Sequence, residues 1–383
     1  MSTTETTLEV AQGRFTLQRR PRRRKELLRA WDAADEYLLR EVAKQRPARA
    51  DRRILVVNDS FGALTVALAP WASQAWSDSF LSQLATRDNL LANGIDPGTV
   101  TLLHSMQQPT GPLDLILIKV PKTLALLEDQ LIKLRPLLTA DTKVLVAGMV
   151  KALPRSVWTL LEKLLGPTDT DLAWKKAKLI RVTPDPGLTV PDNPYPVQYR
   201  LEGTDWFISN HANVFSRDSL DIGTRFFLQH LPVLPQAQDI IDLGCGNGVL
   251  GLQAAARHPT AMVHFVDESF MAVASARENF NRAFGAAREA AFCVGDGLED
   301  FSAASADLVL CNPPFHQQQT VGDQIAQRMF KQAQEVLRPG GELWVIGNRH
   351  LGYHSALKRL FGKAELIASN AKFVILRVQR GPR

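Results

Sequence analysis

The sequence predicts an α/β chain of two tandem domains on one plan, complete in the second and degenerate in the first. Short aliphatic runs alternate with helical periodicity along most of the chain. Segments of the first half can be laid on segments of the second in the same order. A chain of 383 residues, 45% hydrophobic and 22% charged, is long enough for two buried cores.

In the second half, "DIIDLGCGNGVLGLQAAARH" (239–258) reads as a strand, a glycine loop and a helix opening near Val249. "AMVHFVDES" is a second strand ending in Asp267, and "FMAVASARENFNRAFG" carries helical periodicity. "AFCVGDG" is a third strand, and "ADLVLCNPPF" is a fourth that stops at two prolines, which cannot continue a central ladder. "FKQAQEVLRPGG" reads as a helix stopped by Pro-Gly, and "ELWVIGN" as a fifth strand. "KAELIAS" and "KFVILRV", separated by Asn370 and Ala371, read as a closing antiparallel hairpin.

The first half repeats this. "RRILVVNDSFGAL" lies on "DIIDLGCGNGVL" with Gly62 opposite Gly248, and "SFLSQLATRDN" lies on "SFMAVASAREN" without a gap. "DLILIKVP" falls on "DLVLCNPP", "KLRPLL" on "VLRPGG", and "KVLVAG" on "ELWVIG". Asn58 and Ser60 replace Gly244 and Gly246, and Lys119 replaces Asn312. The expected division is a basic N-terminal arm over 1–30, a degenerate domain over 31–190 and a ligand-binding domain over 200–383.

Gly244, Gly246 and Gly248 let the backbone approach a ligand with no Cβ in the way. Their spacing is GxGxG, not the GxGxxG of dinucleotide folds. Asp242 suits a cationic amino-acid group, and Asp267 at the next strand end can accept from two ribose hydroxyls. Cys245 and Asn247 complete the loop, and Asp296 is placed to accept from an adenine amine. Together these favour S-adenosylmethionine. In "NPPF", the Asn312 side-chain oxygen and the Pro313 carbonyl can both accept from an exocyclic NH₂, drawing its lone pair toward a sulfonium methyl. Pro314 completes the motif, and Phe315 offers a ring for a base to stack on. Phe215, Asp221 and Thr224 either line the methionine end of the cofactor pocket or cap and pack the helix ahead of the loop.

Cys245, Cys293 and Cys311 have no ligand spacing, and His350 and His354 have no third partner, so no metal is expected. No run approaches the roughly 18 apolar residues that span a bilayer. "MSTTETTLEV" has no secretory pattern, so no membrane association and a cytoplasmic location are expected. Net charge is +6, with six cations in the seven residues of "RRPRRRK" (19–25). That run is either a solvated tail or a phosphate contact.

"EGTDWFISNHANVFSRDSLDIGTRFFLQHLP", "DLGCGNGVLGL", "FVDESFMAVASAREN" and "LCNPPFHQQ" resemble the bacterial ribosomal RNA guanine-N2 methyltransferases of the RlmG/RsmC type. "AWDAADEYLLR", "NDSFGAL", "IKVPKTLALLE" and "LAWKKAKLIR" extend the resemblance through the first half, toward the RlmG branch. The resemblance implies two Rossmann-like class I methyltransferase domains, the first degenerate and docking RNA. It implies methyl transfer from S-adenosylmethionine to guanine 1835 of 23S rRNA, naked or in an assembling large subunit. It gives Asp242, Gly244, Gly246, Gly248, Asp267 and Asp296 the cofactor role, and Asn312 through Phe315 the target amine. Alternatives are a 16S rRNA enzyme of the RsmC branch and a non-catalytic RNA-binding assembly factor. A DNA adenine-N6 or a glutamine methyltransferase would share the Asn-Pro-Pro corner, but neither predicts the duplication.

Overall fold

The computed structural model describes residues 5–22, 26–44, 53–189, 191–285, 287–314 and 319–382. The chain divides into two compact units, Met1–Tyr195 and Pro196–Arg383. The first opens with a hairpin, β1 (Thr7–Val10) and β2 (Gly13–Thr16), and helix α1 (Ala33–Lys44). It continues through β3 (Ile54–Val57), α2 (Ala63–Ala67), β4 (Ala72–Ser77), α3 (Phe80–Ala92) and β5 (Thr101–His104). Then come β6 (Leu115–Lys119), α4 (Leu124–Leu134), β7 (Lys143–Met149), α5 (Ser156–Leu164), β8 (Thr168–Thr170) and β9 (Ala177–Val182).

The second unit opens with hairpin β10 (Val197–Arg200) and β11 (Phe207–Asn210), then α6 (Ile222–Leu228). It continues through β12 (Asp239–Leu243), α7 (Val249–Arg257), β13 (Met262–Asp267), α8 (Phe270–Phe284) and β14 (Ala291–Val294). The remainder is β15 (Ala306–Cys311), α9 (Gln319–Val336), β16 (Leu337–Asn348), α10 (Tyr353–Phe361), β17 (Glu365–Ser369) and β18 (Phe373–Gln379).

The sheets run β5-β4-β3-β6-β7-β9-β8 and β14-β13-β12-β15-β16-β18-β17, the same order strand for strand. All pairings are parallel except those of the last two strands of each unit. Central strands such as "ILVV" are buried on both faces, which is why they read as continuous aliphatic runs. The closing hairpin is present, with β18 inserted between β16 and β17. The helix expected to run to Pro-Gly ends earlier, at Val336, and Leu337 already pairs with Ala306 in the sheet. No helix among the described residues is long and apolar enough to cross a membrane.

Residues 1–30, expected to be a separate basic arm, are part of the first unit wherever they are described; Arg23, Arg24 and Lys25 lie outside the described residues. Leu8 and Leu17 are buried in its core, 2% and 1% exposed. Asn89 on α3 accepts from the Gln18 amide and donates to the Gln18 and Phe61 carbonyls. In the second unit Asn279 on α8 accepts from the Ser209 amide and donates to the Ser209 and Asn247 carbonyls. The neighbouring pairs match as well: Arg20 with Asp88 at 2.7 Å, and His211 with Glu278 at 2.8 Å. Apolar burial and a three-bond asparagine clamp hold this segment, so its charge did not decide its structure. The repeated plan includes the hairpin and starts before residue 31.

Gly62 and Gly248 precede α2 and α7 at φ +83° and +82°. A Cβ at Gly62 would stand 2.9 Å from the Thr86 Cα, and one at Gly248 would stand 2.9 Å from the Ala276 Cβ. Both glycines therefore let the loop approach the next helix. We predict that Gly62→Ala costs the first unit about 2–4 kcal/mol, from left-handed strain and steric overlap together. Chemical denaturation measures it, and a wild-type midpoint would remove this role.

Candidate active site

The loop after β12 turns back over β13. The Gly244 and Cys245 amides donate to the Val266 carbonyl at 2.8 and 3.0 Å, and the Gly246 amide donates to Asp267 Oδ2 at 3.0 Å. Gly244 and Gly246 have φ of +73° and +53°, angles that glycine adopts without penalty. A Cβ at Gly246 would meet nothing within 4 Å among the described residues, so this bend is open on their side. A Cβ at Gly244 would crowd Met329 at 3.3 Å and lie 4.0 Å from the Asn312 carbonyl oxygen. The other three loop residues build the turn. Cys245 is buried in the core, and burial pushes its thiol well above the usual range. Asn247 donates to Asn210 Oδ1 and the Tyr199 hydroxyl, partners that no sequence pattern announces. Gly248 packs against α8.

Three carboxylates surround the loop. Asp242 is fully buried; its Oδ2 accepts from the Gly251 amide at 2.8 Å, and its Oδ1 has no hydrogen-bond partner among the described residues. Burial, with the Asp267 charge adding to it, pushes this carboxyl up to about 8. Asp267 accepts from the Gly246 and Ser269 amides, one on each oxygen. Asp296, expected to accept from an adenine amine, is buried with its Oδ2 2.5 Å from Arg328 on α9, so this carboxylate already has a cationic partner. Arg328 is 32 residues away in sequence, which hides the pairing from any local motif.

Asn312 follows β15 directly, beside the loop. Its Nδ2 donates to Thr224 Oγ1 at 3.0 Å. The Thr224 amide and hydroxyl both lie against Asp221 Oδ2, at 2.8 and 3.2 Å, and Asp221 thereby caps α6. Asn312 Oδ1 is buried and has no hydrogen-bond partner among the described residues. Pro313 is buried and Pro314 exposed. Phe315 lies outside the described residues. Phe215 is exposed on the loop between β11 and α6. Among the described residues no group of three or more His, Cys, Asp or Glu is placed to hold a metal ion.

The same edge of the first unit is filled. Asn58, left-handed at φ +62°, stands at the Gly244 position; its Nδ2 donates to the Lys119 carbonyl and to Gln130. Lys119 stands at the Asn312 position and pairs with Asp32 and Asp35, each at 2.8 Å. Ser77 stands where Asp267 stands, and Ser79 caps α3 as Ser269 caps α8. Beside an open loop, two buried oxygens without a partner among the described residues, Asp242 Oδ1 and Asn312 Oδ1, leave one acceptor for a cation and one for an amine donor.

Residues 5–186 match the RLMG N-terminal domain family, and residues 205–377 match the Methyltransferase small domain family. The chain is 52% identical over 370 residues to ribosomal RNA large subunit methyltransferase G of Streptomyces avermitilis, spanning 95% of this chain and 97% of that protein. It is 54% identical over 366 residues to the protein of the same name from Pseudomonas paraeruginosa, spanning 95% and 97%. With that of Aeromonas salmonicida it shares 50% over 375 residues, 97% and 99% of the two chains. Among solved structures, the T. thermophilus 16S rRNA N2 G1207 methyltransferase RsmC, in complex with AdoMet and guanosine, matches with TM-score 0.76. Identity is 21%, over 98% of this chain and 97% of that one, so the match speaks for the fold alone.

If Asp242 meets a ligand ammonium, only its ionised form pairs, so binding releases a proton below its raised pKa. We predict that S-adenosylmethionine affinity climbs by up to about one decade per pH unit below pH 8. Asp242→Asn should lose this acid limb. In the empty protein the sign is the opposite: stability from the neutral carboxyl is present at low pH and lost as pH rises through about 8. Calorimetric titration between pH 6 and 8 checks the first effect, and an unchanged limb in Asp242→Asn would sink the assignment.

Proposed function

The chain belongs to the ribosomal RNA large subunit methyltransferase G family, and from that membership we propose that it transfers methyl from S-adenosylmethionine to the exocyclic N2 of a guanine in 23S rRNA. The observation that carries this reading is Asn312 Oδ1, a buried acceptor without a partner among the described residues, beside an open glycine loop. The alternative small-subunit substrate has no comparable support, since the full-length relatives at 50–54% identity carry the large-subunit name.

In this reading Gly244 and Gly246 give the cofactor its room, Asp267 takes the ribose hydroxyls, and Asp242 takes the ammonium. Asp296, held by Arg328, borders the adenine. The bound cofactor supplies an electrophilic methyl on a sulfonium. Asn312 Oδ1 and the Pro313 carbonyl accept from the guanine amine and aim its lone pair out of conjugation. The amine becomes acidic as it is methylated and releases its proton to water, so no strong base is required. The target nucleotide must be splayed from its stack, which is cheapest in a loop or bulge.

We assign RNA docking to the first unit. What supports this is its filled pocket together with cations set on aromatic rings. Lys175 and Arg40 lie 4.5 and 5.4 Å from the Trp174 ring, and Lys178 lies 5.5 Å from Trp158. Lys175 and Lys176 occupy the tip between Trp174 and Ala177 with φ of +46° and +64°, where Asn-Gly would be the relaxed choice. Strained lysines at an exposed tip suit contact with phosphate. Glu36, paired with Lys175 at 2.6 Å, offsets part of the charge.

Asn312→Ala should keep cofactor affinity and lose roughly 10²–10³-fold in turnover, the usual cost of one preorganised partner. Labelled-methyl transfer to 23S rRNA measures it, and near-wild-type turnover would end the amine-activation reading. Lys175→Gln with Lys176→Gln should leave cofactor binding intact, weaken rRNA binding, and flatten its log–log salt dependence by about 0.7 for each phosphate no longer neutralised. An unchanged slope in filter binding places the dock elsewhere.

A further inference from the structure

Thr224 and Asp221 do more at this site than end a helix. Asp221 Oδ2, as a carboxylate oxygen, only accepts, so the Thr224 hydroxyl 3.2 Å away donates its hydrogen to it. That leaves Thr224 Oγ1 as an acceptor toward Asn312 at 3.0 Å. The amide must then present Nδ2 to Thr224, and its oxygen is turned to the opposite side, where it is buried without a partner among the described residues. A flipped amide would set two acceptors, Oδ1 and Oγ1, against each other and point its NH₂ at the place where the substrate amine must donate. The polarity of one carboxylate thus passes through one hydroxyl to the catalytic oxygen.

The first unit shows the same contact with different chemistry. By position in the first turn of the leading helix, Asp32 corresponds to Asp221 and Asp35 to Thr224. Lys119, at the Asn312 position, bonds both aspartates at 2.8 Å. The ammonium has only donors, so position 119 itself offers no acceptor to an arriving amine. The contact between strand end and leading helix is kept while both partners change together, from a hydroxyl–amide relay to an ion pair.

We propose that Thr224, oriented by Asp221, is a positioning residue that holds Asn312 in the single amide orientation able to accept from the target amine. This rests on the reading of Asn312 as the amine acceptor. It differs from the expectation that Thr224 lines the methionine end of the cofactor pocket.

Thr224→Val removes the hydroxyl at nearly constant shape. Turnover on 23S rRNA should fall roughly 10–100-fold, with the cofactor Kd and the KM for RNA within about threefold of wild type. Thr224→Ser should recover most of the loss. The Asn312 side-chain NH₂ resonances, identified by their disappearance in Asn312→Ala, should exchange with solvent faster in Thr224→Val. A raised cofactor Kd with turnover preserved would make Thr224 a cofactor contact and overturn the proposal. Equal damage in Thr224→Val and Thr224→Ser would reduce it to packing, and unchanged amide exchange in Thr224→Val would also overturn it. Should the wild-type protein not methylate 23S rRNA, the functional reading fails by itself, and the exchange measurement still decides the positioning claim.

Discussion

Both units depend on a left-handed glycine at the foot of one helix. At Gly62 and Gly248 the chain leaves the central strand, packs its backbone against a neighbouring helix and starts the next one. The residues it touches, Thr86 and Ala276, lie one helical turn before Asn89 and Asn279. One face of α3 or α8 therefore fixes the loop's approach and clamps the hairpin strand to the loop. Loop, hairpin and sheet are tied at one spot, and none of these contacts requires a ligand.

That independence is what allows one copy to lose its pocket and keep its fold. Asn58, Ser60, Ser77, Met106 and Lys119 stand in the first unit where Gly244, Gly246, Asp267, Asp296 and Asn312 stand in the second. The glycine that survives is the one packed against the next helix; of those that vanish, Gly246 offers only room, and Gly244 gives way to Asn58 at a similar left-handed angle. The filled cleft is an ion cluster. Burial pushes Asp35 up to about 6 against the pull of Lys119, and the two aspartates hold Lys119 above its usual range despite its burial. Charges removed from water in this way do little for net stability, but they specify one arrangement of strand end and helix.

Much of this was legible in sequence. The strand–helix alternation, the duplicated order, the glycine loop and the Asn-Pro-Pro corner all leave local patterns, because each is set by residues close together in the chain. The hairpins β1–β2 and β10–β11 left none, being four-residue strands, mostly half exposed or exposed. The N-terminal segment misled because charge dominates its composition, whereas Leu8, Leu17 and a distant asparagine decide its place. The partners Arg328–Asp296, Tyr199–Asn247 and Thr224–Asn312 join residues 32 to 88 positions apart, beyond any spacing rule. One further signal lies in the sequence itself. A glycine that persists at position 62 without its ligand neighbours must serve the fold, and Gly248 with it.

The asymmetry between the copies is finally one of satisfied polar groups. A buried oxygen without a partner costs about 1–3 kcal/mol. Among the described residues the second unit carries two at its site with neither a hydrogen bond nor an ion pair, on Asp242 and Asn312, and the cleft residues of the first unit, Asn58, Asp59, Lys119 and Gln130, contribute none. Asp242 lowers its own penalty by favouring the proton, which the cation of the proposed cofactor would displace. Asn312 has no such escape, because Thr224 fixes its amide and its oxygen can only wait for a donor. The active site is thus held in a state that a ligand improves, while the filled copy has nothing left for a ligand to satisfy. A surface attached to such a copy keeps its geometry whether or not cofactor is bound, which is the property that docking RNA requires of it under the function proposed.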